Sequence, residues 1–105
     1  MAVVSVTTFT VKPDGFEDAL ADLRQTKAVV EKAGGRNVRL LAALVAGQAT
    51  GSMAFITECD DFSAIGAATD KILADPEGQA ILAKANTSAA ALLNAQGAYW
   101  VDVPL

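Results

Sequence analysis

The strand-like segments of this chain are apolar on both sides, and this feature limits the fold more than any other. Residues 1–11, 37–46, 53–57 and 98–103 are strand-like, and the first of these ranges is rich in the β-branched and aromatic residues that favour strands. Their apolar residues do not keep to alternate positions, as they would in a sheet with one solvated face. The pattern therefore predicts a sheet that is covered on both faces.

The segment after the first strand predicts an amphipathic helix. Asp14 and Glu17 have the spacing of a capping box, and apolar residues then recur at the helical period. The pair Gly34-Gly35 ends the pattern, because glycine commonly follows the last turn of a helix.

A second helical region is predicted in two pieces after the third strand. Asp60 or Asp61 can cap the first piece, and Asp75-Pro76-Glu77 restarts the helix with a cap, a proline at the first position and an acid in the first turn. The second piece is predicted over the alanine-rich residues 79–95, with its end at Gln96-Gly97.

The resulting order is βαβ–βαβ, with a hairpin over Gly47–Gly51 between the two halves. Two such units interleave into a four-stranded antiparallel sheet with the helices on one face, the ferredoxin-like α+β arrangement. We expect one domain over residues 1–105. Because the second sheet face is also apolar, we expect a second copy of the chain to cover it.

The composition agrees with an apolar interface. Hydrophobic residues make up 52% of the 105 residues, whereas about 45–50% is usual even when glycine is counted. An apolar excess on so small a chain favours a homodimer.

This element order is similar to that of the dimeric α/β-barrel superfamily. The resemblance covers nearly the whole chain and rests on the hairpin, the Asp60-Asp61-Phe62 helix start and the Asp75-Pro76-Glu77 restart. It implies ferredoxin-like protomers whose sheets pack face to face. The superfamily includes small proteins of the antibiotic-biosynthesis-monooxygenase type, haem-degrading enzymes, isomerases and cyclases, whose sites usually lie between sheet and helices.

Charge and composition exclude several classes of function. The net charge is −4 and the eight basic residues are scattered, so we expect no nucleic-acid partner. No apolar run approaches the roughly 20 residues that span a bilayer, and no signal peptide is visible. We therefore expect a cytoplasmic protein without a membrane partner.

The chain contains no histidine, and this absence narrows the chemistry. It removes the commonest general base, the imidazole metal ligand and the usual haem ligand. The single cysteine, Cys59, cannot form an intramolecular disulfide, and the carboxylates beside it disfavour its thiolate. We expect no metal and no cofactor, and no residue is assigned a catalytic role.

Lys27 is the first candidate for a substrate-binding residue. On a helical projection it falls within the apolar arc of the first helix, so a desolvated ammonium there could bind an anionic substrate. Alternatively, its stem packs while the ammonium reaches water or pairs with Glu31 at i+4.

Three further candidates lie near the C-terminus. Ser88, on the apolar face predicted for the last helix, could point into a cavity or bond back to its own helix. Tyr99 and Trp100 are neighbours on a strand, so one should face the helices and the other the partner copy. Either ring could stack on a planar substrate or pack as core or interface.

Phe9 and Arg39 complete the predicted site, as wall or rim residues together with Thr7 and Asn37. The sequence thus favours a homodimer that binds a small hydrophobic molecule. Cofactor-independent oxygenation or isomerisation is one extension of this reading. A non-catalytic ligand-binding or assembly module is the alternative, and a regulatory amino-acid-binding domain is a third.

Overall fold

The computed structural model describes residues 2–45, 47–85 and 92–105. Within these ranges the chain forms four strands, three helices and a short 3-10 turn at Gly47–Ala49. In chain order they are β1 (Val3–Val11), α1 (Phe16–Lys32), β2 (Arg36–Ala42), β3 (Met53–Cys59), α2 (Phe62–Ala74), α3 (Pro76–Ala85) and β4 (Leu92–Val101).

The four strands form one sheet in the order β2-β3-β1-β4. β1 is central and pairs antiparallel with both β3 and β4, while β2 pairs antiparallel with β3 at the edge. The predicted α+β, ferredoxin-like arrangement is therefore confirmed.

The core lies between the sheet and the helices. Val3 and Phe9 of β1 are each only 2% exposed, and they belong to the same face of the strand because alternate residues share a face. Ala19 and Leu23 of α1 and Ala68 of α2 are buried as well. The one-sided apolar stripes of the helices thus account for one covered face of the sheet.

The helices begin and end at the predicted cap and stop residues, with one exception. Asp61 accepts a hydrogen bond from the backbone N–H of Ala64 at 2.7 Å and caps α2, and Asp75 accepts one from Glu77 at 2.9 Å at the start of α3. Gly34, with φ of 110°, follows the end of α1.

The prediction that Asp14 caps α1 was wrong. Gly15 is the N-terminal cap residue, and no side chain bonds to the first turn. Asp14 lies in the left-handed region with φ of 61°, in a turn that Gly15 closes by donating to the carbonyl of Lys12. The turn places its carboxylate one residue before the cap position.

The start of the last strand also differs from the prediction. The helix expected over residues 79–95 is described only to Ala85, and β4 begins at Leu92 instead of residue 98. Leu92 pairs with Val11 and Leu93 with Thr10, and a bulge follows at Asn94, which has φ of 56°. Pairing with the central strand overrides the local helical preference of this segment.

The second face of the sheet is open in the protomer. Leu41 on one edge strand and Trp100 on the other lie on this face and are 47% and 62% exposed. Val4, Val6 and Ile56 lie on the same face, with Ile56 already buried within the protomer. The molecule measures 39 × 38 × 17 Å, and its smallest dimension corresponds to one helix layer packed on one sheet layer. The predicted cover by a second copy remains a prediction.

None of the helices in the described ranges combines the length and the apolar character that crossing a bilayer requires.

Candidate functional site

A cavity of about 280 Å³ lies between α1, α3 and β4. Its volume is close to the lower end of the range of about 300–1,000 Å³ that is usual for small-molecule sites. Because the three elements meet on the helix side of the sheet, the cavity lies opposite the open sheet face.

Small side chains create this cavity. α3 contributes Ala80, Ile81 and Ala85, and β4 contributes Leu92 and Ala95. Three of these five apolar residues are alanines, which cannot fill the space between a helix and a strand as leucine or phenylalanine would. The alanine-rich composition of this region therefore leaves space between the helix and the strand.

Polar side chains gather on the α1 side of the same cavity. The Lys84 ammonium of α3 donates to the Asp22 carboxylate of α1 at 2.8 Å, which ties the two helices together at the cavity. This hydrogen bond raises the pKa of Lys84 above its ordinary value. Thr26 donates to the carbonyl of Asp22 at 2.8 Å, and the Gln25 side chain makes no hydrogen bond to the described part of the chain.

Lys27 lies one residue beyond this polar group but does not line the cavity. Its side chain is half exposed, and its ammonium lies 3.8 Å from the Glu31 carboxylate. This is the i, i+4 pairing that the sequence left open as the alternative to substrate binding.

Ser88 lies in residues 86–91, outside the described residues. The residues that flank this segment, Ala85 and Leu92, both line the cavity. A role for Ser88 in binding therefore stays a prediction.

Tyr99 and Trp100 lie on opposite faces of the sheet, as the strand period requires. Tyr99 lies on the helix side, where its ring meets Phe62 of α2 edge to face with centroids 6.0 Å apart. Trp100 lies opposite Val4 on the open face. The two aromatic residues therefore cannot belong to one site within a single protomer.

The remaining predicted residues are also divided between the two faces. Phe9 is buried in the core and does not line the cavity. Arg39 lies on the open face, where its guanidinium is 3.8 Å from the Glu58 carboxylate. The structure thus does not bring Lys27, Tyr99, Trp100, Phe9 and Arg39 together.

The sequence interpretation missed Asp22, Gln25 and Lys84. Asp22 and Gln25 are spaced i and i+3, which places them on one side of α1, but polar residues at this spacing are equally typical of a solvated helix face. Lys84 is 62 residues away from Asp22 along the chain. No local pattern predicts that contact.

Cys59 is buried beneath the helices, and burial raises the pKa of its thiol. Arg36 acts against this shift, while Asp60 and Asp61 add to it. Within the described ranges, no group of three or more cysteine, aspartate or glutamate side chains is placed to hold a metal ion.

Comparison with solved structures identifies proteins with the same layer and strand order. A NIPSNAP-like domain protein from Burkholderia xenovorans is 16% identical, with a TM-score of 0.73 over 97% of this chain and 85% of that protein. A NIPSNAP family protein from Agrobacterium tumefaciens is 10% identical, with a TM-score of 0.75 over 97% and 86%. A proposed antibiotic biosynthesis monooxygenase from Deinococcus radiodurans is 13% identical, with a TM-score of 0.69 over 98% and 94%.

The chain has a ferredoxin-like fold. Its ferredoxin-like neighbours confirm the resemblance predicted from the element order, including the likeness to proteins of the monooxygenase type. No protein-family model and no curated protein sequence matches the chain. At these low identities the structural likeness shows the fold alone, because one fold can carry many different activities.

Proposed function

We propose that this protein binds a small, largely apolar molecule in the cavity between α1, α3 and β4, and that it does so as a homodimer. The observation that carries the proposal is the combination of apolar walls on α3 and β4 with polar side chains gathered on α1. Binding sites for small molecules commonly combine a mainly apolar lining with a few converging polar groups.

The charge of the cavity favours a neutral ligand. Asp22 and Lys84 are the charged side chains among the described wall residues, and they neutralise each other at 2.8 Å. The Gln25 amide offers both a donor and an acceptor. A molecule with an apolar body and one hydroxyl, carbonyl or amide group would match this arrangement.

The same geometry favours binding over proton transfer by Lys84. Because the pKa of Lys84 is raised by Asp22, its ammonium stays protonated at neutral pH and cannot accept a proton. Cofactor-independent oxygenation or isomerisation would therefore depend mainly on the reactivity of the bound substrate, with the protein supplying shape and hydrogen bonds.

The homodimer is supported by the open sheet face. Leu41 and Trp100 are large, apolar and about half exposed there, next to Val4, Val6 and Ile56. Large apolar side chains that are exposed on one face of a sheet favour burial in an interface. A second copy would cover it with an identical surface, as in the isologous interface of a twofold dimer.

The test for the cavity uses 1-naphthol, a two-ring molecule with one hydroxyl group. We expect wild-type protein to bind it, with changes in the NMR methyl signals of Ile81 and Leu92. Replacing Ala80 with phenylalanine should fill the cavity and weaken binding by about tenfold or more.

Ala67→Phe provides the matched control. Ala67 is an exposed residue of α2 that does not line the cavity, so naphthol affinity should not change. Equal affinity in wild type and Ala80→Phe would contradict the proposed site. Absence of binding in the wild type would favour the alternative, a non-catalytic assembly module that uses only the open sheet face.

A further inference from the structure

A row of three hydroxyl side chains crosses the helix face of the sheet. Ser5 of β1 pairs directly with Thr57 of β3 on one side and with Tyr99 of β4 on the other. Residues paired in this way have Cβ atoms about 4.5–5.5 Å apart. The Ser5 and Thr57 hydroxyls can therefore reach the same small group above the sheet.

These hydroxyls lie on the floor of a second cavity, of about 120 Å³. Its roof is apolar and is formed by Val30 of α1 and by Ile65, Ala68 and Ile72 of α2. More than half of the Tyr99 surface is exposed, so the cavity opens to solvent beside that ring.

The hydroxyl groups of the floor are free to bond to a guest. Ser5, Thr57 and Tyr99 make no side-chain hydrogen bond to any other residue in the described ranges. No buried side-chain oxygen in those ranges lacks a partner, so the Ser5 and Thr57 oxygens are accessible from the cavity. An apolar guest would strip water from these hydroxyls without replacing it, and that loss is unfavourable.

The remaining wall residues exclude an ionic ligand. No charged side chain is among the described residues that line this cavity. Thr69 also lines it, but its hydroxyl already donates to the carbonyl of Ile65 at 2.8 Å. The Cys59 thiol stays protonated, because burial raises its pKa.

We propose that this cavity is a second binding site, which takes a neutral molecule about one ring in size through a hydroxyl or carbonyl group bonded to Ser5 and Thr57. The cavity of about 120 Å³ is somewhat smaller than the apolar cavity of about 150 Å³ that accommodates benzene, so a single ring would fill it and extend through the opening beside Tyr99. The ring would lie against the α2 roof with its polar group directed at the sheet. This site is separate from the larger cavity, and the proposal does not depend on the function assigned there.

Phenol and benzene are the matched probes, because they differ only in the hydroxyl group. We expect phenol to shift the NMR methyl signals of Ile65 and Ile72 and to bind wild-type protein more tightly than benzene does. Thr57→Val keeps the side-chain shape and removes the hydroxyl, and Ser5→Ala removes the other hydroxyl. Each should weaken phenol binding about threefold to tenfold and leave benzene binding unchanged.

Thr8→Val is the control, because Thr8 lies on the opposite face of β1, where its hydroxyl bonds to the carbonyl of Gln96. Phenol affinity should not change in this variant. The proposal is overturned if phenol moves the signals of Ile81 and Leu92 instead, if it binds no better than benzene, or if only water occupies the site. The wild-type comparison of phenol with benzene decides the matter even if a floor variant fails to fold.

Discussion

The Lys84 ammonium and the Asp22 carboxylate, 62 residues apart in the chain, meet at 2.8 Å and join α3 to α1 beside the larger cavity. Because of this contact, the pKa of Lys84 differs between the folded and the unfolded chain. Its alkaline behaviour provides a direct test of the helix arrangement.

Stability should fall at alkaline pH because of this ion pair. The pKa of Lys84 is higher in the folded protein than its ordinary value of 10.5. Its contribution is therefore complete below that value and is lost as the pH rises through the folded pKa. Urea unfolding between about pH 8 and pH 12 should show a smaller alkaline loss in Asp22→Asn than in wild type.

Asp18→Asn serves as the control for this experiment. Asp18 acts on Lys84 only as the last and smallest cause of the raised pKa. The free energy of unfolding of Asp18→Asn should therefore depend on alkaline pH as that of wild type does. Identical profiles for Asp22→Asn and wild type would show that the ion pair is absent in solution.

Asp61 should contribute more to stability than its neighbour Asp60. Asp61 caps α2 through the backbone N–H of Ala64, and replacing such a cap with alanine costs about 0.5–2 kcal/mol. Asp60 forms an exposed ion pair with Arg36, which is worth about 0–1 kcal/mol. Chemical denaturation of Asp61→Ala and Asp60→Ala should show this order, and the reverse order would contradict the cap assignment.

Two glycine-to-alanine substitutions should have opposite effects. A Cβ atom at Gly78 would clash with the carbonyl oxygen of Ile72, and such overpacking costs about 1–3 kcal/mol or more. A Cβ atom at Gly66, within α2, meets nothing within 4 Å. Gly66→Ala should therefore stabilise the protein by about 0.5–1 kcal/mol through helix propensity.

Thermal unfolding measures both variants. If Gly78→Ala melts at or above the wild-type temperature, the close approach of α3 to the end of α2 is wrong.

Leu41→Asp should separate the proposed dimer. Leu41 lies on the open sheet face and is 47% exposed in the protomer, so a partner would bury the new carboxylate without a counter-charge. Sedimentation should change from dimer to monomer mass. Leu73→Asp is the matched control, because Leu73 is 50% exposed on α2 and should leave the dimer intact.

Trp100 reports on the same association. It is the only tryptophan in the chain and lies on the open face, so its emission should shift to shorter wavelength as protein concentration rises. A spectrum that is independent of concentration, together with a monomer mass for wild type, would refute the dimer.

Much of the fold could be predicted because its signals are local. Pro76 with Asp75 before it, Gly34 after α1, and Asp61 before α2 each mark a boundary through the backbone groups that a helix end leaves unpaired. The two-sided apolar strands also predict cover of the sheet beyond its own helices, and this part stays a prediction.

The start of β4 could not be predicted from such signals. Leu92 and Leu93 continue an alanine-rich segment with helical spacing, and only their pairing with Val11 and Thr10 makes them strand. Asn94 then takes a left-handed conformation that allows the bulge. Long-range pairing decides the structure of this segment, and a local pattern does not contain that information.

The candidate site was harder to predict than the fold. The cavity exists because the wall residues Ala80, Ala85 and Ala95 have small side chains. Alanine by itself does not indicate a binding site, because it also occurs in helices that bind nothing. Lys27 fell within the apolar arc of α1, but its ammonium pairs with Glu31. A helical projection gives the direction of a Cβ atom and not the position of the end of a long side chain.

The order of the two layers has a consequence for how binding and association combine. Both cavities lie on the helix side, whereas Leu41 and Trp100 lie on the other side of the sheet. Ligand uptake and pairing of protomers would thus use different surfaces, and their stabilising free energies should add by mass action. If both proposals hold, substitutions on one side of this thin molecule would alter ligand choice without disturbing the pairing of protomers on the other side.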